Sequence, residues 1–160
     1  MEYEIREKNQ NDNESVRRLV EENWGSNLII TRGKIHLVEN LRGVLAVHND
    51  QIAGMGLYEI DHNACELVLL ESYIEHIGIG KRILNEIISA AKKAGTERLW
   101  LITTNDNTYA LRFYQINGFL IRNIHVNTIM EMRKLKPEIP LVGNNNIPIR
   151  DEIELEIRLK

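Results

Sequence analysis

The chain has 160 residues, of which 20 are basic and 23 acidic, giving a formal net charge of -3 and a pI near 6.0. This length is typical of one domain, and the acidic balance disfavours nucleic-acid binding, which needs a positive surface. No apolar run approaches the ~20 residues that span a bilayer, and the charged N-terminus does not resemble a secretory signal. We therefore expect a cytoplasmic protein that binds neither nucleic acid nor a membrane.

The first half of the chain predicts one helix and several strands. Apolar residues at helical spacing indicate the helix, and alternating or continuous apolar residues indicate the strands. Residues 26–40 show no clean period, and we interpret them as mostly loop with a short helical turn. The predicted elements are a strand around Tyr3 and Ile5, a helix from the candidate caps at residues 11–13 to Gly25, a hairpin of residues 44–47 and 52–60, and a buried strand at 65–71.

The second half predicts helices and strands in alternation, followed by a loop and a last strand. Glycines mark the helix ends at Gly95 and Gly118, and Pro137 stops the last helix. The predicted elements are a helix at 80–94, a strand at 99–103, a helix at 108–116, a strand at 119–126, a helix from the candidate cap Asn127 to Leu135, a loop at 138–148 and a strand at 153–159. This order predicts an α/β (α+β) fold with a central mixed, largely antiparallel sheet flanked by helices.

A glycine-rich turn at residues 76–81 joins the buried strand to the helix that follows it. Amides at a helix N-terminus attract anions, and glycines let a phosphate approach the backbone. The P-loop pattern is excluded, because Glu75 stands at its first glycine and Arg82 at its Ser or Thr. The dinucleotide fingerprint fits poorly, because Ile83 stands at its third glycine.

Two segments carry a resemblance to the GNAT superfamily of N-acetyltransferases. Residues 75–80 resemble its Gln/Arg-x-x-Gly-x-Gly/Ala loop, and residues 107–119 resemble its Asn-x-x-Ala-x-x-(Phe/Leu)-Tyr-x-x-x-Gly-Phe segment. The resemblance covers the element order of the whole chain, and implies a single domain over residues 1–160 whose fourth and fifth strands splay apart. The predicted helix and loop at about 127–150 depart from the hairpin that often joins the last two strands in the family.

The resemblance implies acetyl-CoA as cosubstrate and no metal, and the single cysteine cannot build a cysteine-based zinc site. The implied contacts to acetyl and pantetheine come from the backbone of the fourth strand, and those to pyrophosphate from the loop amides. The implied cofactor-binding residues are Leu69, Leu70, Glu71, Glu75, His76, Ile77, Gly78, Ile79, Gly80, Lys81, Asn107, Ala110, Phe113 and Tyr114. Because the family has Arg or Gln at the position of Glu75, we expect Glu75 to point outward, with Lys81, Arg82 or His76 supplying positive charge.

The resemblance further implies that Asn107 contacts the pantetheine and that Tyr114 protonates the departing thiolate. A phenol with a pKa near ~10 is protonated at neutral pH and can make that donation. Other interpretations remain open: Gly78 and Gly80 can form an ordinary turn, Asn107 can cap a helix, and Tyr114 can be a core aromatic residue.

An ammonium substrate must also lose a proton before it attacks the thioester. Glu66 is our candidate base, because it lies within an apolar strand where burial raises a carboxylate pKa. Strand alternation places it on the face of Val68 and Leu70, with Cys65 on the other face. A purely structural role for Glu66 stays equally open, and Glu71 is the second candidate base.

The resemblance locates the acceptor between residues 24–36 and 125–154. A carboxylate cluster at Asp151, Glu152 and Glu154 would favour a cationic amine, although these side chains can equally form a solvated outer face. His36 and His125 either line the acceptor pocket or are incidental polar residues.

The leading functional hypothesis is acetyl-CoA-dependent acetylation of a primary amine of a small molecule or peptide by direct attack. The alternative is a non-catalytic CoA-binding sensor or interaction module of the same fold. The identity of the amine is not readable from the sequence, and a homodimer is compatible with it.

Overall fold

A computed structural model describes all 160 residues of the chain. It confirms the predicted α/β class, with a mixed sheet of seven strands, a separate pair of strands and four α-helices. The elements are β1 Glu4–Glu7, α1 Asn13–Trp24, β2 Leu28–Thr31, β3 Lys34–Leu37, β4 Arg42–His48, β5 Gln51–Asp61, β6 Ala64–Ser72, α2 Ile79–Lys93, β7 Arg98–Thr104, α3 Thr108–Ile116, β8 Leu120–His125, α4 Thr128–Leu135 and β9 Glu152–Arg158. None of the helices has the length and apolar composition needed to cross a bilayer.

The chain forms two compact units. The first comprises Met1–Ile29, His36–Leu99 and Arg158–Lys160, and the second comprises Ile30–Ile35 and Trp100–Ile157. Each unit has its own set of strands, and each holds a different part of the predicted site.

The first unit is built on four antiparallel strands in the order β1, β4, β5, β6. The predicted hairpin between β4 and β5 is confirmed. Asn49 and Asp50 form its turn with φ values of 49° and 61°, the left-handed conformation that two-residue hairpin turns require and that Asn and Asp tolerate.

Helix α1 covers one face of these strands. Val16 and Val20 are fully buried, and they belong to a core cluster with apolar residues of β4, β5 and β6. The helix ends where predicted, at Gly25, whose φ of 80° is left-handed. The cluster comprises Val16, Val20, Ile29, Val38, Leu41, Leu45, Met55, Leu57, Val68 and Leu69.

Helix α2 packs closely against β5 because two glycines of that strand leave room for its side chains. A Cβ at Gly54 would lie 2.5 Å from Ile79 Cγ2, and a Cβ at Gly56 would lie 2.5 Å from Ile87 Cδ1 and 2.7 Å from Ile83 Cγ2. These separations are too short for carbon atoms, so the close approach of α2 depends on both glycines. The N-terminal residue of α2 is thereby held against β5.

The second unit contains β7, β9 and β8 in that order, with β8 and β9 antiparallel. The loop before β9 is fixed to residues that follow β7. The Asn105 side chain accepts hydrogen bonds from the amides of Arg150 and Asp151 at 2.9 and 3.0 Å. Asp106, which is 4% exposed, accepts one from the Asn144 amide at 3.0 Å.

Residues 26–40 are the main error of the secondary-structure prediction. They contain β2 and β3, which form a two-stranded sheet, and only the short helical turn at Val38–Asn40 is confirmed. Arg32 and Gly33 form the turn between the strands with φ values of 50° and 76°. Strands of four residues are too short to show a clear hydrophobic period.

Helix α4 is confirmed, with Asn127 at its N-cap position, but the side chain of Asn127 does not make the cap. Asn127 has a left-handed φ of 62° and makes no side-chain cap. Its amide instead donates to Asp151 Oδ1 at 2.9 Å. Within this helix Ile129 is buried, whereas the last residue, Leu135, is 53% exposed.

The contact between β5 and α2 can be tested by a double-mutant cycle. Gly56→Ala is expected to lower the free energy of unfolding by about 1–3 kcal/mol through overpacking. Ile87→Val removes the Cδ1 methyl that the new Cβ would meet, at a cost of about 1 kcal/mol by itself. Urea unfolding of the four proteins should therefore show a double variant more stable than the sum of the single losses predicts. Strictly additive losses would contradict the proposed contact.

Candidate active site

Strand β6 contains a β-bulge at Val68. Leu67 pairs with Tyr58 and Leu69 pairs with Leu57, so Val68 has no partner on β5. Val68 and Leu69 consequently both join the core cluster that includes α1. A bulge interrupts the ladder locally and is common beside active sites, because it redirects side chains and frees backbone groups.

The bulge overturns one detail of the sequence prediction. Leu70 does not share the face of Glu66 and Val68, because the extra residue reverses the alternation after Val68. Leu70 Cδ1 instead approaches Gly56 on the side of the sheet where Ile83 and Ile87 of α2 pack.

Glu66 is buried, with its side chain 7% exposed. It pairs directly with Glu59 across the β5–β6 ladder, and the His36 side chain lies beside both carboxylates. His36 Nε2 is 3.6 Å from Glu66 Oε1, and His36 Nδ1 is 3.5 Å from Glu59 Oε2. The His36 side chain is only 1% exposed. The structure thus brings the candidate base together with a buried imidazole and a second carboxylate.

The second candidate base, Glu71, is hydrogen-bonded by two aromatic side chains. Trp24 Nε1 donates to Glu71 Oε1 and Tyr73 Oη donates to Glu71 Oε2, both at 2.6 Å. Burial and the bond to Glu71 raise the pKa of Tyr73, so Tyr73 stays a donor. These contacts tie the C-terminal end of α1 to the end of β6 and occupy both carboxylate oxygens.

The glycine-rich turn leads into α2 without a side-chain cap. Gly78 occupies the N-cap position with a left-handed φ of 76°, and no side chain accepts from the first amides of the helix. Helix N-termini leave such amides free, and the helix dipole adds positive potential there. The segment has the backbone features of an anion site.

The charged side chains around this turn face solvent. The Glu75 and His76 side chains are 84% and 92% exposed, so the expectation that Glu75 points outward is confirmed. Lys81 and Arg82 are exposed as well, and the Arg82 guanidinium lies 5.0 Å from the centre of the Tyr3 ring. Arg82 thus has an aromatic partner, and Lys81 is the other exposed cation of the first helical turn.

The remaining predicted cofactor residues lie on and before α3, in the second unit. Asn107 caps this helix, because its Oδ1 accepts from the Ala110 amide at 3.1 Å. Tyr114 is 8% exposed, and its ring meets those of Phe113 and Phe119 edge-on at centroid distances of 5.2 and 5.4 Å. Burial raises the pKa of Tyr114, so its hydroxyl stays protonated at neutral pH.

The carboxylates near β9 are not a solvated outer face. Asp151 and Glu152 are 6% and 1% exposed. Glu152 accepts from the Arg32 amide at 3.0 Å, and Asp151 accepts two bonds from the Arg150 guanidinium, which lowers the Asp151 pKa. His125 Nε2 lies 3.1 Å from Glu154 Oε1. Each of these carboxylates faces a basic or amide group of its own unit.

Sequence reasoning did not assign a role to Glu59, Trp24 or Tyr73. Glu59 and Glu66 are both carboxylates within apolar strand segments, and this is the signal that was available in the sequence. Their pairing depends on the register between β5 and β6, which hydrophobic periodicity does not specify to one residue.

Comparison with known proteins agrees with these features. Residues 3–119 match the model of the Acetyltransferase (GNAT) family. The uncharacterized protein YxbD of Bacillus subtilis (strain 168) is 39% identical over 141 residues, which cover 88% of this chain and 89% of the relative.

Two solved structures extend the comparison. The IAA acetyltransferase from Bacillus cereus ATCC 14579 has a TM-score of 0.75 at 20% identity and covers 98% of this chain and 99% of its own. A GNAT family acetyltransferase from Elizabethkingia anophelis, solved with acetyl-CoA bound, has a TM-score of 0.65 at 25% identity over 74% of this chain and 76% of its own.

The environment of Cys65 predicts an unreactive thiol. Cys65 is 0% exposed, and burial raises its pKa to about 12. At pH 8 about one molecule in 10,000 would carry a thiolate, against roughly a quarter at an ordinary pKa of ~8.5. Iodoacetamide should therefore label the native protein at less than about 1% of the rate measured in urea. Comparable rates in the two states would show that Cys65 is accessible.

Proposed function

The chain belongs to the GNAT family of acetyltransferases, and we propose that it transfers an acetyl group from acetyl-CoA to a primary amine of a small molecule or peptide. One observation carries this proposal. A buried carboxylate, Glu66, stands two residues before the bulge at Val68, on a strand that leads to an uncapped helix N-terminus suited to an anion.

The cofactor-binding roles follow from the backbone. The bulge leaves Val68 without a partner on β5, and we assign the backbone of the neighbouring Leu69 and Leu70 to the acetyl and pantetheine amides. The turn and first helical turn at residues 75–81 bind the pyrophosphate through their amides, with Lys81 adding positive charge. In the second unit, Asn107, Ala110 and the aromatic pair Phe113 and Tyr114 contact the pantetheine arm. The complex of the Elizabethkingia anophelis relative with acetyl-CoA supports this cosubstrate.

The chemistry requires one base and one acid. Glu66 removes a proton from the ammonium, and the neutral amine then attacks the thioester carbonyl carbon directly. When the tetrahedral intermediate collapses, the C–S bond breaks and Tyr114 protonates the departing thiolate. The attacking nitrogen loses its second proton, which returns to the Tyr114 oxygen directly or through water, and the neutral amide is left. Cys65 does not form an acyl intermediate, because it is buried and lies on the strand face opposite Glu66.

The acid and base roles predict two variants with distinct effects. Glu66→Gln is expected to lower kcat about 100-fold or more near neutral pH, with a smaller loss at high pH, where the amine deprotonates in solution. Tyr114→Phe keeps the buried ring and is expected to lower kcat by a similar factor without raising the KM for acetyl-CoA. The matched control is Tyr109→Phe on the same helix, because Tyr109 is 78% exposed.

The measurement is release of the CoA thiol with a panel of polyamines, amino sugars, amino acids and peptides. Wild-type turnover with at least one amine, and its loss in the Glu66 variant, is the expected result. Binding of acetyl-CoA without turnover on any amine would instead support a CoA sensor. A larger rise in melting temperature with NAD or ATP than with CoA would indicate another class of enzyme.

Replacing Glu75 tests the pyrophosphate site separately. Glu75→Gln removes a negative charge beside the loop, and CoA affinity is expected to rise about 1.4- to fivefold, because an exposed charge interaction contributes ~0.2–1 kcal/mol. Calorimetric titration at low and high salt should show that the gain shrinks as salt screens the charge. Glu86→Gln, an exposed change within α2, is the control. Equal affinities for both variants would argue against a pyrophosphate at this loop.

A further inference from the structure

The buried imidazole of His36 connects two carboxylates that differ in their access to solvent. The Glu66 side chain is 7% exposed and the Glu59 side chain is 30% exposed, and the 1% exposed His36 ring presents one nitrogen to each. The fully buried ring therefore joins a buried carboxylate to one that is partly exposed to solvent. An imidazole can accept a proton at one nitrogen and release another from the second.

Under the proposed function, each turnover leaves one proton at the buried Glu66, and this proton needs a route to solvent. Acetylation of an alkylammonium releases one proton per turnover, because the amide product is neutral and CoA leaves as a thiol. The proposed base, Glu66, receives that proton in a buried position, and the bound amine covers it further. Glu66 must lose the proton before the next turnover.

We propose that His36 carries this proton from Glu66 to Glu59, from which it passes to water. The ammonium N–H bond breaks and its proton binds a Glu66 oxygen. Glu66 then gives a proton to His36 Nε2, while the proton on Nδ1 moves to Glu59 Oε2 and on to solvent. After the product leaves, His36 Nε2 gives its proton to entering water and Nδ1 takes one proton back from solvent through Glu59, which restores the first tautomer with no net change in protons. Only protons move between the three side chains, and no further reactant is needed.

The distances fit a relay that tightens during turnover. The two N–O separations of 3.5 and 3.6 Å are a few tenths of an ångström longer than ordinary hydrogen bonds. Catalytic hydrogen bonds are often long in free enzymes and shorten when the substrate binds. Both contacts lie within the first unit and use residues of β3, β5 and β6.

The same three side chains could instead form a metal site or have a purely structural role. One ligand atom from each of the three residues lies within 4.8 Å of the others, a spacing that can bring them around a metal ion. The relay accounts for the contact of each ring nitrogen with a separate carboxylate, which a single ion bound at one nitrogen does not require. A purely structural role is the other possibility, since a protonated ring would relieve repulsion between the opposed Glu59 and Glu66.

The test compares His36→Gln and Glu59→Gln with wild type. Glutamine keeps polar contacts at both positions but does not carry protons at neutral pH. Each variant is expected to lower kcat about 10-fold or more at pH 7, with an unchanged KM for acetyl-CoA and a loss that shrinks as the pH approaches the pKa of the amine. His48→Gln at the end of β4 is the control for replacing a histidine by glutamine outside the cluster. His36→Gly adds a positive readout, because added imidazole should restore part of its activity.

The possible outcomes separate the relay from the proposed function. Wild-type kcat and pH profile in His36→Gln would overturn the relay alone, as would a loss of stability without a change in the pH profile. Loss of activity on treatment with EDTA, restored by Zn²⁺ or Mn²⁺, would overturn it in favour of a metal site. Absence of wild-type turnover on every amine would overturn the proposed function and the relay with it. Glu59→Gln, at the more exposed end, decides the question if the His36 variants do not fold.

Discussion

One extra residue in β6 determines how the candidate site is arranged. With regular alternation, Glu66 and Glu71, which are five positions apart, would face opposite sides of the sheet. The bulge at Val68 removes this mismatch, so that Glu66 contacts His36 while Glu71 contacts Trp24 of α1 on the same side. Val68 and Leu69 both pack into the core beside α1, and this packing holds the bulge in place.

On the opposite face of the sheet, helix α2 packs closely against β5. Gly54 and Gly56 allow Ile79, Ile83 and Ile87 to approach the strand, and this approach brings the N-terminus of α2 against the strand beside β6. A helix that starts with a left-handed glycine and without a cap is not optimised for its own stability, because its first amides lack partners. The unpaired amides are what a pyrophosphate requires, so this local cost is consistent with the proposed function.

The sequence predicted the long elements well and the short ones poorly. Helices α1 and α3 and the β4–β5 hairpin follow from helical periodicity, glycine at the helix end and turn-forming Asn and Asp, all of which are local signals. Strands β2 and β3 were missed because four residues carry almost no period. The tripeptide Asn144–Asn146 was predicted as plain loop, but Asp106 holds it through a partly buried hydrogen bond that no local pattern indicates.

The residues of the candidate site were likewise only partly predictable from the sequence. The glycine turn, Glu66 and Tyr114 are proposed as site residues from residue type and motif. The predicted orientation of Leu70 was wrong, because a bulge has no sequence pattern of its own here. Glu59 became part of the candidate site only through strand register. His36 was a candidate from the sequence, as an acceptor-pocket or incidental residue, but its contact with Glu66 depends on the unrecognised strand β3. Residues that act through long-range pairing therefore required the structure, while residues within a motif did not.

The central claim is that the acetyl group of the cosubstrate binds at the β6 bulge. The most direct test compares backbone amide NMR spectra of ¹⁵N-labelled protein saturated with CoA and with acetyl-CoA, since the two ligands differ only in the acetyl group. We predict that the differences between the two spectra concentrate at Val68, Leu69 and Leu70, while residues 75–81 respond equally to both ligands. Identical spectra for both ligands at the bulge, or differences located elsewhere in the chain, would contradict the claim.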